Sequence, residues 1–302
     1  MIRSQTSSAI RLLMFGLFTA VLHSSCLFQN DIVGVRLVNT DTIGVAKGSI
    51  AYIANNEIHI FNPAGASYRQ VTTDGVAKTR LALRADLRQV VYLNALQPQY
   101  PMVENLAPPY PTKPNLSTID YSAPISFEYK GADTVCFLTK RSPFFKSTSA
   151  AYSTIIQNRI AVYHNTTDSL KFIAISQKND IAIVTKDNTT NISTIRWIKS
   201  DNTIKTYTTN QFLGQPRWTP NAQDLFIPSD KGVFQWKAIS VLPKMIIFEQ
   251  NIKAFALNPI GTEIAYTLGN DTIYIKNILF AKANRKLPTL PRGKMVVDVD
   301  WK

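Results

Sequence analysis

The chain has little of what reactive sites are usually built from. Its 302 residues include two cysteines and three histidines. Two cysteines as far apart as Cys26 and Cys136 make no disulfide framework. Cys136 lies in the apolar run Thr134-Val135-Cys136-Phe137-Leu138 and reads as a small core residue. His59 and His164 fall in different β phrases, which supports neither a nucleophilic triad nor a His-rich metal site. The sequence contains no Gly-x-Ser-x-Gly elbow, phosphate-binding loop or dinucleotide fingerprint, so no cofactor is expected. Acidic residues are scarce, 20 against 33 Lys and Arg, for a formal charge of +13. That balance permits contact with anionic lipid or acidic polymers. No run of five or more cations occurs, so nucleic acid is not an expected partner. The simpler reading of the charge is a solvated basic surface.

Long apolar runs are missing too. Leu12–Leu22 is apolar over 11 residues, too short to span a bilayer comfortably. With Arg3 and Arg11 before it and Ser24-Ser25-Cys26 after it, the segment reads as a signal peptide over residues 1–25. Small residues directly before a cysteine resemble the lipobox of bacterial lipoproteins, although His23 stands where an aliphatic residue is usual. That resemblance implies lipidation of Cys26; ordinary signal cleavage nearby is the other reading. No Asp stands directly after Cys26, which in lipoproteins of this kind favours the outer membrane, facing the periplasm. Residues 26–47 read as a tether.

What the sequence does have is a repeated β phrase. Its clearest copy is Gly48–Thr73: the strand Ile50-Ala51-Tyr52-Ile53, a turn at Asn55-Asn56, a second strand Ile58–Phe61 and a polar third strand ending at Thr72. A later copy is Glu263–Tyr266, then Gly269-Asn270-Asp271, then Ile273–Ile275. The centres of the main apolar strands are Tyr52, Tyr92, Phe137, Ile183, Phe226 and Tyr266, at intervals of 40, 45, 46, 43 and 40 residues. Short strands on such a period imply an all-β, six-bladed β-propeller over residues 48–302.

Two turns carry a family resemblance. Trp218-Thr219-Pro220-Asn221-Ala222 and Leu257-Asn258-Pro259-Ile260-Gly261 resemble the W-S-P-D-G turn of the TolB-like, WD40-like (PD40-type) propeller repeat. Arg69-Gln70-Val71-Thr72 resembles the ending of that repeat. The resemblance is weak over residues 131–209, where periodicity alone carries the reading. It implies a propeller and a part in envelope-complex assembly. The alternating strand Lys294–Trp301 is expected to supply the missing inner strand of the first blade, with Val33–Val38 as the competing donor.

Two stretches break the period. Gln97–Asn115 holds six prolines with Tyr100 and Tyr110, and reads as an extended loop. Arg141–Ala151 reads as a basic, aromatic loop with Arg141, Phe144, Phe145 and Lys146. Both are candidate binding elements or passive covers. Asp298 and Asp300, two apart on a strand, share one face. With Arg84 and Arg217 they are candidates for lining the central channel, as ion pairs or as a Ca²⁺ site. The functional expectation is a non-enzymatic, membrane-anchored scaffold that binds a protein or an envelope polymer. The alternatives are a propeller that binds or acts on glycans or lactones at its channel, and a subunit that only fills space in an assembly.

Overall fold

The computed structural model describes residues 48–63, 67–95, 101–108, 124–130, 134–139, 145–147, 168–279, 284–289 and 292–302. Cys26, Tyr100, Tyr110, Arg141, Phe144, His164 and Val33–Val38 lie outside them. The fold is an all-β propeller. Among the described residues the strands pair into six antiparallel sheets, four with four strands and two with three.

The first sheet joins β1 (Ile50–Ala54), β2 (Glu57–Asn62) and β3 (Ser67–Gln70) to the last strand, β22 (Val296–Trp301). The second is β4 (Lys78–Leu83), β5 (Gln89–Asn94) and β6 (Pro101–Asn105). The third is β7 (Pro124–Lys130), β8 (Thr134–Thr139) and β9 (Phe145–Ser147). The fourth runs through β10 (Asp168–Ile175), β11 (Ile181–Asp187), β12 (Ser193–Ile198) and β13 (Ile204–Thr209). The fifth is β14 (Arg217–Trp218), β15 (Asp224–Ser229), β16 (Gly232–Lys237) and β17 (Lys244–Ile247). The sixth is β18 (Ala254–Leu257), β19 (Glu263–Thr267), β20 (Thr272–Asn277) and β21 (Arg285–Pro288). The six apolar strand centres marked in the sequence all fall on the second strand of a sheet.

The strands form where they do because their apolar residues are covered on both faces. β1, β15 and β19 are almost wholly buried, the pattern of a strand sandwiched between neighbouring sheets. The cores lie between sheets. Trp197 of β12 and Trp236 of β16 meet edge to face at 5.9 Å, among Ala182, Val184, Leu225 and Ile227. Tyr52, Tyr266 and Trp301 are also fully buried.

The turn after the first strand of a sheet repeats with one geometry. The fourth residue donates its N–H to the carbonyl of the first in Arg84–Leu87, Ser176–Asn179, Thr219–Ala222 and Asn258–Gly261. That fourth residue takes positive φ in every case, as Leu87, Asn179, Ala222 and Gly261 do. The Pro-x-Gly signal of the sequence is this turn. Leu87 and Asn179 satisfy the geometry without the Pro-Gly signature.

Both period-breaking stretches contain strands, which corrects the reading of them as loops. Within Gln97–Asn115, Pro101–Asn105 forms β6, with Met102 opposite Tyr92 and Val103 opposite Val91. Val103 is buried, and proline is tolerated at the first residue of an edge strand. Within Arg141–Ala151, Phe145–Ser147 forms β9, with Phe145 opposite Leu138 and Lys146 opposite Phe137. A three-residue strand is too short to show alternation.

β22 pairs antiparallel with β1, Ile50 opposite Trp301 and Tyr52 opposite Val299. Ser49 and Lys302 exchange both backbone hydrogen bonds, at 2.6 and 3.1 Å. Gly48, just before this junction, has φ +89° and no space for a side chain: a Cβ would lie 2.2 Å from the carbonyl oxygen of Lys302. Gly48→Ala is therefore expected to lower stability by about 2 kcal/mol or more, read as an earlier urea midpoint. Ala222→Gly, which relieves a left-handed alanine, is expected to raise stability by about 1 kcal/mol, less whatever its buried methyl contributes.

Candidate functional site

The inner strands are β22, β4, β7, β10, β14 and β18, and each contacts the next in that order, β18 returning to β22. Inner strands of adjacent sheets do not pair with one another in a shared sheet, so their facing backbone groups need other partners. Among the described residues, side chains from alternate sheets supply partners for them. From β22, Asp298 accepts the N–H of Leu81 at 2.9 Å and Asp300 accepts the N–H of Leu83 at 2.8 Å, both on β4. From β7, Glu128 accepts the N–H of Ile175 at the end of β10, at 3.2 Å. Gln215, two residues before β14, donates to the carbonyl of Ile173 at 2.7 Å, and Arg217 Nε on β14 donates to the carbonyl of Phe255 on β18 at 3.4 Å. The first, third and fifth sheets thus give side chains, and the second, fourth and sixth give backbone groups.

The donating sheets also bind one another across the axis. Ser126 donates to Gln215 at 2.6 Å. Arg217 lies 3.7 Å from Glu128 and 3.8 Å from Asp300, all three nearly buried. Three i, i+2 pairs build this centre: Ser126 with Glu128, Gln215 with Arg217, and Asp298 with Asp300.

The electrostatics follow from burial. Loss of solvent pushes Asp298 above the ordinary carboxylate range, although Arg80 and Arg217 pull the other way. Burial raises Glu128 likewise, against the pull of Arg217. Burial alone would lower Arg217, but the charges of Asp300, Glu128 and Asp298 outweigh it and raise its pKa. Arg80 lies over the ring of Phe172, 5.2 Å from its centre.

A cavity of about 170 Å³ opens where the inner strands end. Glu128, Arg217 and Asp300 form its floor, with Ser176, Asn258 and Lys302 around it. Trp218, Pro220, Pro259 and Trp301 supply apolar wall. The carboxylates are already committed to backbone N–H groups and to Arg217, so the arrangement is suited to holding a polar group rather than to transferring a proton. Among the described residues, no three His, Cys, Asp or Glu side chains are placed to hold a metal ion.

The structure brings together Arg217, Asp298 and Asp300 of the sequence-selected channel residues. Arg84 instead belongs to its own turn, with Nε 3.1 Å from Asp86 and Nη1 3.3 Å from Gln89. Phe145 and Lys146 are strand residues rather than loop residues. Cys136 lies on β8, opposite Glu128 and Ser147. His59 is buried, stacked on Tyr52 at 5.3 Å, and burial lowers its pKa. Ser126, Glu128 and Gln215 were missed. Their signal was the same i, i+2 polar pairing that singled out Asp298 and Asp300.

Sequence reading also missed two exposed aromatics on the face opposite the cavity. Phe212 follows β13 and is 47% exposed; Phe248 follows β17 and is 80% exposed. Ile192, before β12, is exposed on the same face.

Arg217→Met is expected to cost about 3–5 kcal/mol, because it leaves buried carboxylates without their counter-ion. Asp298→Asn keeps an oxygen for the Leu81 N–H. A raised folded pKa gives stability that is complete below the unfolded-state pKa and fades as pH rises through the folded value. The variant is expected to lose that fade, so its urea midpoint falls less than that of the wild type between about pH 4 and about pH 7.

No protein-family model matches the sequence, and no functionally curated protein matches it either. Solved structures do. The chain is similar to a chain of a nidogen/laminin complex, with 9% identity and a TM-score of 0.64, covering 84% of this chain and 98% of that one. It is similar to TolB from Acinetobacter baumannii, with 11% identity and a TM-score of 0.58, covering 85% of this chain and 67% of that one. At these identities the likeness shows the fold alone, a β-propeller.

Proposed function

We propose that the chain is a non-enzymatic propeller of six blades, sealed by β22 against β1, that binds a protein partner as part of an envelope complex. The observation that carries this reading is the exposure of Phe212 and Phe248 on one face. Both sit in connections between sheets, where a rigid scaffold holds them out to solvent. Exposed aromatic side chains on a fixed frame are the anchors around which protein interfaces concentrate their energy. The axial centre supports the same reading from the other side, since its acidic groups are occupied in holding sheets together. TolB and the nidogen/laminin chain are propellers of similar fold.

The partner face is the one bearing Phe212 and Phe248. The lipobox resemblance supports a mature chain anchored to the outer membrane through an acylated Cys26, facing the periplasm.

Paired affinity purifications test this. The Phe212→Ser/Phe248→Ser variant, folded by its urea midpoint, is expected to lose at least about thirtyfold in affinity for the partner recovered with the wild-type chain. Equal recovery by both would remove this face from consideration. Cys26→Ser is expected to move the chain from the membrane fraction to the soluble one, and an unchanged distribution would refute lipid anchoring through that residue.

A further inference from the structure

The connection between β16 and β17 presents three aliphatic side chains to solvent at one tip. Ile239 is 91% exposed, Val241 82% and Leu242 60%. Such a tip is costly in water and is not a by-product of a slack loop, because its backbone is held from beneath. Lys205, on β13 of the neighbouring sheet, donates to the carbonyls of Ala238 at 2.5 Å and Ser240 at 2.7 Å. Trp236 Nε1 donates to the Ser240 carbonyl at 3.3 Å. The Ser240 N–H donates to the carbonyl of Lys237, and the Ala238 N–H to that of Gln223. Pro243 has no N–H to satisfy. The tip is therefore fixed in shape, with four of its polar backbone groups already paired, the condition for moving backbone out of water cheaply.

Its surroundings are cationic. Lys237 and Lys244 are exposed on either side of the tip. The described turns of the fifth and sixth sheets on this face, residues 219–223, 238–243, 258–262 and 278–279, contain no Asp or Glu. Ile260 and Leu279, exposed in connections of the sixth sheet, lie on the same face. A convex aliphatic tip between lysines, without a groove or an aromatic anchor, fits a lipid surface better than a protein one: the aliphatics enter the headgroup–acyl boundary and the lysines meet anionic headgroups. The tip joins the two outer strands of its sheet, so it touches a membrane at the rim of the propeller and leaves the axial cavity clear.

We propose that the Ile239–Leu242 tip is a membrane-contacting element that inserts into the interface of an anionic bilayer, independently of any acyl group on Cys26. The test uses the full chain with Cys26→Ser and Cys136→Ser, carrying an environment-sensitive fluorophore at Val241→Cys. A second sample is labelled at Ile192→Cys, on the opposite face. The probes are vesicles of phosphatidylethanolamine and phosphatidylglycerol, with phosphatidylcholine vesicles for comparison. Expected results are a blue shift and quenching by spin-labelled lipid at position 241 but not at 192, stronger on the anionic vesicles. Ile239→Ser/Leu242→Ser is expected to weaken the response at position 241 at least about tenfold, and Lys237→Gln/Lys244→Gln to remove the preference for anionic lipid. Absence of a response at 241, or equal responses at 241 and 192, would overturn the proposal. So would a concentration-dependent shift at 241 without vesicles, accompanied by a dimer in light scattering, which would assign the tip to a second copy of the chain.

Discussion

A propeller has one polar problem that its sheets cannot solve alone. Each inner strand is paired on one side only, and its other edge faces the axis and the next sheet. Unpaired N–H and C=O groups buried there cost as much as lost hydrogen bonds. Here the acceptance of the Leu81 and Leu83 N–H groups by Asp298 and Asp300 answers that cost for one neighbour, and Glu128, Gln215 and Arg217 answer it for others. The division of labour between alternate sheets follows from geometry. A side chain that bridges to the next strand occupies the space at the axis, so the strand it bridges to contributes backbone.

This solution explains why charge is buried where function is usually sought. Two aspartates and two arginines assigned to the centre of a propeller resemble a binding site when read as a sequence. In the structure, Asp298 and Asp300 have backbone partners, and Arg217 lies between Asp300 and Glu128. One oxygen each of Asp298, Asp300 and Glu128 is used to hold a neighbouring strand. The outward-facing features include the cavity mouth, the tip at Ile239–Leu242, and the aromatic residues Phe212 and Phe248.

The sequence made the fold legible wherever two signals coincided. Asn258-Pro259-Ile260-Gly261 declared its turn because proline fixes one φ and glycine accepts a positive one. Arg84-Ala85-Asp86-Leu87 makes the same turn with a leucine in the left-handed position, a state no propensity argument anticipates. β6 was hidden by its prolines: a stretch rich in them reads as irregular, yet Pro101 sits at the first position of a strand, where its missing N–H is harmless. Asp298 and Asp300 stood out on an alternating strand, whereas Ser126 and Glu128 did not, because no turn signature marked β7 as an inner strand. Exposure itself was not readable. Nothing in the residue types of Phe248 or Ile239 distinguishes them from core residues; for Ile239, the Lys205 and Trp236 contacts that hold the 238–240 backbone do.

The pairing of β1 with β22 has a kinetic side. Among the described strands β1 is made first and its partner β22 last, so this edge of β1 waits for β22 while every other described sheet can already form. Contacts between such distant segments are slow to find, since loop closure must precede any gain from pairing. An apolar strand waiting with an unpaired edge is also a template for pairing with other chains. The ring therefore passes through a stage in which its own first sheet is its most aggregation-prone part. Val296–Trp301 ends that stage, making the final strand a determinant of how long the chain remains vulnerable as well as of how stable it becomes.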